Sequence, residues 1–495
     1  MRDFTLFIPE YIAVASAVAI LTAELVWPKI RKDYLAYATA AGALGWLIAA
    51  IPYIGNTAGN FENLLLTDDF TTYFRILAAG IVMAIALLSA HYLQNRTTTA
   101  GEYYGLLLVG GTGMVLMAAS RELLTAYISL ELLSFSLYIL VGYLKRDRLS
   151  NEASLKYILL GAFSSAMLLY GISLIYGVTG TTSYEGIAEA LAARDGGTDA
   201  ATVVGIMLIV AGVGFKVSAA PFHMWAPDAY QGAPLPITAF LSTASKAAGF
   251  ALILRLFTGA LVVDAVEWRA AIAVLAAITM TAGNLIAIQQ TNLKRLVAYS
   301  SIGQVGYMLV AIAAIGYGDA ATAQSASSAL LLHIAGYTVS TLALFTALTA
   351  HYNRTGDDSI SGLRGLAETQ PFLALVITAS LFSFAGLPFF AGFATKLLLF
   401  QASTTDGLLW LVGLGAANSF VSLYYYLMIM RQIYLFDPAE GQTRFRPTPL
   451  LGALAGLLLL GMLFIGIYPQ PVFEATDHAA SALFEVSASV LASGR

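Results

Sequence analysis

The sequence contains no cysteine and few charged residues. Of its 495 residues, 11% are Asp, Glu, Lys or Arg, whereas a soluble globular chain carries about 25%. The lack of cysteine excludes disulfides, thiolate metal sites and cysteine-bound iron–sulfur clusters in this chain. Any redox chemistry must therefore be carried by another chain. The net charge of −4 shows no basic patch suited to nucleic acid.

Apolar residues make up 58% of the chain and form long continuous runs. A bilayer core needs about 20 apolar residues per helical span, so we predict an all-α polytopic membrane protein. The predicted spans, about fourteen in number, lie near residues 7–27, 34–54, 70–93, 103–119, 122–144, 153–177, 202–229, 234–259, 270–289, 294–315, 323–350, 370–400, 407–434 and 449–468. A short tail is predicted after the last span.

Lysine and arginine predict the orientation of the spans. Of the 25 basic residues, 14 fall in predicted connections on one side, 5 on the other and 6 inside spans. Because positive residues concentrate on the cytoplasmic side, both termini are predicted to lie outside.

Two predicted spans carry helix-breaking residues. The seventh contains SAAPFHMWAPDAY, with Pro221 and Pro227, and the twelfth contains FAGLPFFAGFATK, with Pro388. Transporter folds with internal repeats place interrupted helices at corresponding positions of their two halves. The spacing therefore favours an inverted repeat in which spans 4–8 match spans 9–13. Two unrelated packing kinks are the alternative.

Four charged residues lie deep within predicted spans, where a charge costs roughly 2.5–3.5 kcal/mol. Lys216 lies just before the break of the seventh span, Lys246 lies among small residues of the eighth, and Lys396 follows the break of the twelfth. Glu131 lies mid-span among leucines, and Lys216 is its first candidate partner. Each residue is a candidate for an ion path, and the alternative for each is a structural ion pair or snorkelling.

Other polar residues in the spans are weaker candidates. His223 and His333 are predicted proton relays or packing residues, and they are too isolated for a metal site. Lys156 either snorkels near a cytoplasmic end or takes part in the path. Structural or interfacial roles are predicted for Arg75, Arg255, Glu10 and Glu24. The glycine-rich GGTG at 110–113 lacks the strand and the GK[ST] ending of a phosphate loop, and small residues at a helix interface explain it.

Four segments carry a resemblance to a known family. They are LKYILLGAFSSAMLLYG, GFKVSAAPFHMWAPDAYQGAP, NLKRLVAYSSIGQVGYM and LPFFAGFATKLLLF. Occurring in this order, they resemble the antiporter-like membrane subunits of respiratory complex I over about residues 100–430. The chain is most similar to the branch that lacks a long C-terminal extension and carries lysine, not glutamate, at position 396.

The resemblance implies specific roles for residues at matching positions. Glu131 would be the glutamate of the fifth helix, Lys216 the lysine of the broken seventh, Lys246 the central lysine of the eighth and Lys396 the ionisable residue of the broken twelfth. These four would carry protons along the membrane midplane, coupled to quinone reduction in other subunits. The implied organisation is a three-helix segment at 1–102, repeats at 103–259 and 270–434, and a last helix with its tail at 449–495.

The resemblance also implies partners and a location. FMN, iron–sulfur clusters, NADH and quinone would belong to other subunits, and this chain would bind no cofactor or metal. Its neighbours would be the antiporter-like subunit M, small membrane subunits and the lipid of a bacterial inner membrane. Two alternatives stay open: a subunit of a multi-subunit cation/proton antiporter, and a scaffold that pumps nothing.

Overall fold

The computed structural model describes residues 4–55, 59–94, 96–194, 198–405, 407–438 and 444–493, which form an almost wholly helical bundle. By length and apolar composition, thirteen helices of this part of the chain can cross a membrane. They match the predicted spans in order, except that the twelfth span consists of two shorter helices. The predicted all-α polytopic membrane fold is confirmed.

The described structure contains twenty α-helices, one small hairpin and short 3-10 helices at Phe4–Phe7, Ile51–Tyr53 and Ser361–Leu363. The helices are α1 (Ile8–Val26), α2 (Lys32–Ala50), α3 (Asp69–Tyr92), α4 (Gly101–Ala119), α5 (Leu123–Val141), α6 (Arg148–Thr179), α7 (Tyr184–Ala192), α8 (Ala200–Val217), α9 (Trp225–Gly232), α10 (Leu235–Phe240), α11 (Lys246–Arg255), α12 (Ala265–Ala287), α13 (Leu293–Tyr317), α14 (Ala320–Thr355), α15 (Leu366–Thr369), α16 (Pro371–Ala385), α17 (Ala391–Ala402), α18 (Leu409–Leu435), α19 (Pro449–Ile467) and α20 (Gln470–Ser493). The strands β1 (Gly59–Phe61) and β2 (Leu65–Thr67) pair antiparallel.

Both predicted breaks are present. The seventh span is α8 followed by α9, and α8 ends at Ser218 in a left-handed conformation with φ 67°. The twelfth is α16 followed by α17, and α16 ends at Gly386 with φ 83°. Pro221 lies within the first break, whereas Pro227 lies in the first turn of α9, where a missing N–H costs no helical hydrogen bond. Only the first of these two prolines therefore belongs to the interruption.

The eighth span is a helix with an irregular turn at its centre. All residues of Leu235–Ala260 except Gly259 are buried, and π-helical turns occupy Leu241–Ser245 and Leu256–Ala260. A π-turn widens the helix locally and is frequent at functional sites. The first of these turns ends directly before Lys246, a feature that the apolar pattern did not predict.

The ends of the chain and its connections differ from the prediction in three places. The predicted short tail is the 24-residue helix α20, which packs against α14 and α3. The connection before the seventh span contains α7, and the connection before α3 contains the β1–β2 hairpin. Arg2 and Arg495, which enter the orientation count, lie outside the described residues.

Charged groups near the helix ends hold the first spans together. Arg75 donates two hydrogen bonds to Glu10, at 2.7 and 3.0 Å, and both side chains are buried. Glu10 thus lies near the start of the first span, as predicted, and an arginine partner on α3 allows its carboxylate to lie inside the protein. Its interfacial position stays a prediction. Glu24 accepts hydrogen bonds from the backbone N–H groups of Ala100 and Gly101, so it caps α4. The predicted structural role of Arg75 is confirmed.

Candidate functional site

Lys216 lies at the end of α8 and is 3% exposed. Its Nζ donates a hydrogen bond to Ser134 Oγ on α5, at 2.9 Å. Glu131 lies one turn before Ser134 on the same helix, and its carboxylate accepts a hydrogen bond from Ser165 on α6. In the described structure Glu131 and Lys216 form no direct ion pair: each is bonded to a serine, and the serine bonded to Lys216 lies one helical turn from Glu131.

Lys246 begins α11, directly after the π-turn, and is 2% exposed. Its Nζ has no hydrogen-bond partner among the described residues and lies 5.9 Å from the centre of the Tyr230 ring. A Cβ added to Gly249, one turn further on, would lie 3.6 Å from Lys216 Cγ. The stem of Lys216 thus packs against the helix that carries Lys246.

A cluster of hydroxyl groups lies beside this helix. Tyr337 on α14 shares hydrogen bonds with Ser242 Oγ at 2.7 Å and with Ser301 Oγ on α13 at 2.6 Å. All three side chains are buried. Hydroxyl groups both donate and accept, so this cluster links the eighth span to the tenth and eleventh through groups that can relay a proton.

Lys396 lies in the second helix of the broken twelfth span and is 4% exposed. Its Nζ donates to the carbonyl oxygen of Phe384 at 2.7 Å, and Gln304 donates to the same oxygen at 3.0 Å. Phe384 is in the last turn of α16, where carbonyl groups have no helical partner. The ring of Tyr307 lies 4.4 Å from the ammonium. The break therefore supplies an acceptor for a buried lysine.

The two histidines differ in their contacts. His333 Nδ1 lies 2.8 Å from Thr395 Oγ1, and Thr395 directly precedes Lys396. The other ring nitrogen of His333 is buried without a partner in the described structure. His223 lies in the break between α8 and α9, and its ring packs near Tyr299 at 6.3 Å. His333 is thus adjacent to the twelfth-span lysine, and His223 is part of the seventh-span break.

Lys156 lies apart from the buried residues. Its side chain is 46% exposed and forms ion pairs with Glu152 at 2.7 Å and with Asp228 at 2.8 Å. Asp228 also accepts a hydrogen bond from Arg295. These contacts make Lys156 part of a charged cluster at the end of the bundle.

The structure thus gathers most of the predicted residues on neighbouring buried helices. Sequence reasoning missed the polar groups between them: Ser134, Ser242, Ser301, Gln304 and Tyr337. Serine and tyrosine are common in membrane helices, so they gave no distinct signal, whereas Gln304 is a lone amide within an apolar span and could have been found. Among the described residues, no group of three His, Cys, Asp or Glu side chains could hold a metal ion.

Comparison with known proteins identifies the family. Residues 120–422 match the family model described as NADH:quinone oxidoreductase/Mrp antiporter, TM. This chain belongs to that family. It is 40% identical to the NADH-quinone oxidoreductase subunit N of Moorella thermoacetica over 487 residues, which cover 98% of this chain and all of the relative. Membership and the apolar helices together establish an integral membrane protein. The subunit N of Heliobacterium modesticaldum is 38% identical over 97% of this chain and all of the relative, so the expected similarity to one branch of the family is confirmed.

Solved structures of the family share the fold. A chain of respiratory complex I from Thermus thermophilus with bound aureothin is 31% identical, with a TM-score of 0.80. The match covers 95% of this chain and 100% of the Thermus chain. A chain of the Mrp complex from Dietzia sp. is 21% identical with a TM-score of 0.84, covering 99% of both. The Mrp likeness shows the fold alone, so the choice between a redox complex and an antiporter rests on the closer sequence similarity to complex I subunits.

Proposed function

We propose that this chain is a proton-translocating subunit in the membrane arm of an NADH-quinone oxidoreductase. The observation that carries the proposal is Lys246, a buried lysine without a hydrogen-bond partner in the described structure, at the centre of the bundle. A buried charge with no partner is costly, and a residue that gains and loses a proton can hold such a position. The full-length similarity to subunit N supports the assignment to a redox-driven complex.

In this proposal, protons pass along Glu131, Lys216, Lys246 and Lys396. The carboxylate of Glu131 stabilises an ammonium at Lys216 when the two approach, and loss of that contact favours proton release. The structure supports this with a half-buried carboxylate that is held one helical turn from the serine bonded to Lys216. A change in the neighbouring subunit moves Glu131 between Ser165 and Lys216 and so switches the affinity of the lysine for its proton.

The further steps use the polar groups beside the eighth and twelfth spans. Lys246 receives the proton, and the cluster of Ser242, Tyr337 and Ser301 leads toward α13 and α14. Lys396 accepts the proton last and passes it to the outer side or biases the next subunit. His333 is a relay beside Lys396, and His223 and Lys156 serve the cytoplasmic entrance.

The organisation that we propose follows the two broken spans. The segment 1–102 precedes a repeat of residues 103–259 and a second repeat of residues 270–434, and residues 449–495 complete the chain. Both breaks begin at a left-handed residue, which supports the repeat. The partners are the antiporter-like subunit M and small membrane subunits of a bacterial inner membrane, with FMN, iron–sulfur clusters and quinone in other subunits and both termini outside.

Purification of the tagged full-length chain from its native membrane tests the assignment. We expect subunits with flavin and iron–sulfur absorbance to copurify, and NADH oxidation by quinone to acidify one side of reconstituted vesicles. Sodium/proton exchange without redox subunits would favour the antiporter. Glu131→Gln and Lys246→Met separate pumping from scaffolding, because a scaffold keeps full coupling in both variants once assembly is shown to be intact.

A further inference from the structure

A cavity of about 520 Å³ opens at the end of the bundle where α3 and α14 end and α19 begins. Its lining includes three arginines, Arg96, Arg354 and Arg446, together with His91 and Gln94. None of the described residues that line it is acidic. The cavity thus has a concentrated positive charge. It lies on the same side of the bundle as the lysine- and arginine-rich connections, which is the predicted cytoplasmic side.

The guanidinium groups of Arg354 and Arg446 are free to bind a ligand, whereas one nitrogen of Arg96 already donates to Asn353 Oδ1 at 3.4 Å. Arg96 is held between the rings of Tyr92 and Tyr352, at 4.3 and 4.8 Å, and donates to the carbonyl oxygen of Tyr92. Arg354 and Arg446 are exposed, and neither forms an ion pair with a described residue. Arginine offers several donors in a planar fork that matches the oxygens of a phosphate group.

The other walls of the cavity are apolar or belong to a helix N-terminus. Phe445, Pro447 and Leu451 supply the apolar part. Thr448 is the N-cap of α19, and its hydroxyl is buried without a partner in the described structure. Helix N-termini favour anions. Further along the same helix, the exposed side chains are apolar: Leu457, Leu460, Phe464 and Ile467. They offer acyl chains a surface beyond the cavity.

We propose that this cavity binds the phosphate headgroup of an anionic phospholipid whose acyl chains lie along α19. Basic pockets between helices at the cytoplasmic side of a membrane suit such headgroups, and the apolar wall and the exposed leucines distinguish a lipid from a free phosphate ion. A smaller cavity of about 260 Å³ continues the positive surface beyond Arg96, with Lys145 and Arg146 in its lining. The site is independent of the proposed proton path.

Lipid-dependent fluorescence quenching in the full-length chain tests the site. Because the natural chain has no cysteine, Gln94→Cys gives a single thiol in the cavity wall for a bimane label. We expect brominated phosphatidylglycerol to quench the label at a lower lipid fraction than brominated phosphatidylcholine. Arg354→Gln with Arg446→Gln should weaken that preference roughly 30-fold, since each basic residue near anionic lipid contributes a factor of about five.

Two further double variants make the result specific. Arg354→Lys with Arg446→Lys keeps the charge and should keep most of the preference. Arg364→Gln with Arg431→Gln removes two exposed arginines that contact Phe436 outside the cavity, and it should leave the preference unchanged. Equal quenching by both lipids overturns the proposal. So does release of the quenching by inorganic phosphate at constant ionic strength, because it shows a free-anion site, and so does an equal loss in the Arg364/Arg431 control.

Discussion

The ion pair between Arg255 and Asp68 anchors the C-terminal part of the eighth span, the helix that carries Lys246. Arg255 donates to both carboxylate oxygens of Asp68 at 2.7 Å and to the carbonyl oxygen of Ala118 at 2.7 Å. The guanidinium also lies over the ring of Phe70 at 4.6 Å. We predict that Arg255→Met removes this anchor and destabilises the folded chain.

The expected magnitude follows from burial. The side chains of Arg255 and Asp68 are 6% and 4% exposed, so removal of the arginine leaves a carboxylate inside the bundle. Breaking a buried pair by deleting one partner costs about 3–5 kcal/mol, whereas replacing both charges by neutral groups is often nearly neutral. Asp68→Asn keeps an N-cap for α3. The double variant Arg255→Met with Asp68→Asn should therefore recover part of the unfolding free energy that Arg255→Met loses. We expect a coupling free energy of about 2 kcal/mol between the two positions.

Titration of the full-length chain in mixed micelles with dodecyl sulfate measures the free energy of unfolding. Arg269→Met is the matched control, because Arg269 lies at the same end of the bundle and contacts Tyr317 without an ion pair among the described residues. We expect the control to cost less than about 1 kcal/mol. A cost for Arg255→Met no larger than that of the control, or a double variant as unstable as the sum of the single ones, would refute the reasoning.

Three further predictions concern single positions. Ser134→Ala removes the hydroxyl bonded to Lys216 and should slow proton uptake in vesicles, whereas Ser136→Ala should not; equal rates would count against a role for Ser134. Gly392→Ala would place a Cβ far inside van der Waals contact distance of the carbonyl oxygen of Ser383 in α16, and this clash should cost about 1–3 kcal/mol of unfolding free energy or more. Gly413→Ala is the control, because no atom beyond its own stretch of helix lies within 4 Å of its added Cβ, and it should be tolerated. The third prediction concerns Asp319, the N-cap of α14. Thr322 donates hydrogen bonds to its carboxylate from its side chain and its backbone, and these lower the pKa of Asp319. Its contribution to stability is therefore fully present at neutral pH and is lost as the pH falls from the ordinary pKa of about 3.9 through that lowered value. Asp319→Ala should lower the unfolding temperature at pH 7, and this effect should shrink as the pH falls below about 3.9.

The positions of the spans could be predicted because each needs a long apolar run, and the two breaks could be predicted because proline and glycine disrupt helices. The length of the first break was harder to predict than its position. Pro227 is compatible with the first turn of a helix, so its presence does not show on which side of the break it lies.

The contacts of the charged residues were harder to predict. A buried glutamate requires a partner, but the sequence does not show which one, and Glu131 bonds to Ser165 where Lys216 was expected. The π-turn before Lys246 has no apolar periodicity of its own. Glu10 could not be assigned to Arg75 because the two lie 65 residues apart and meet only through helix packing.

The number of protons moved for each electron pair tests the central claim most directly. The measurement compares the assembled complex carrying Lys246→Ala with the natural complex and with Lys29→Ala, which changes an exposed lysine. Quinone reduction and proton uptake are recorded together in sealed vesicles. The proposed path predicts that Lys246→Ala lowers coupled proton uptake while assembly stays intact and Lys29→Ala has no effect. Full proton uptake with unchanged electron transfer in Lys246→Ala would contradict a path through this chain.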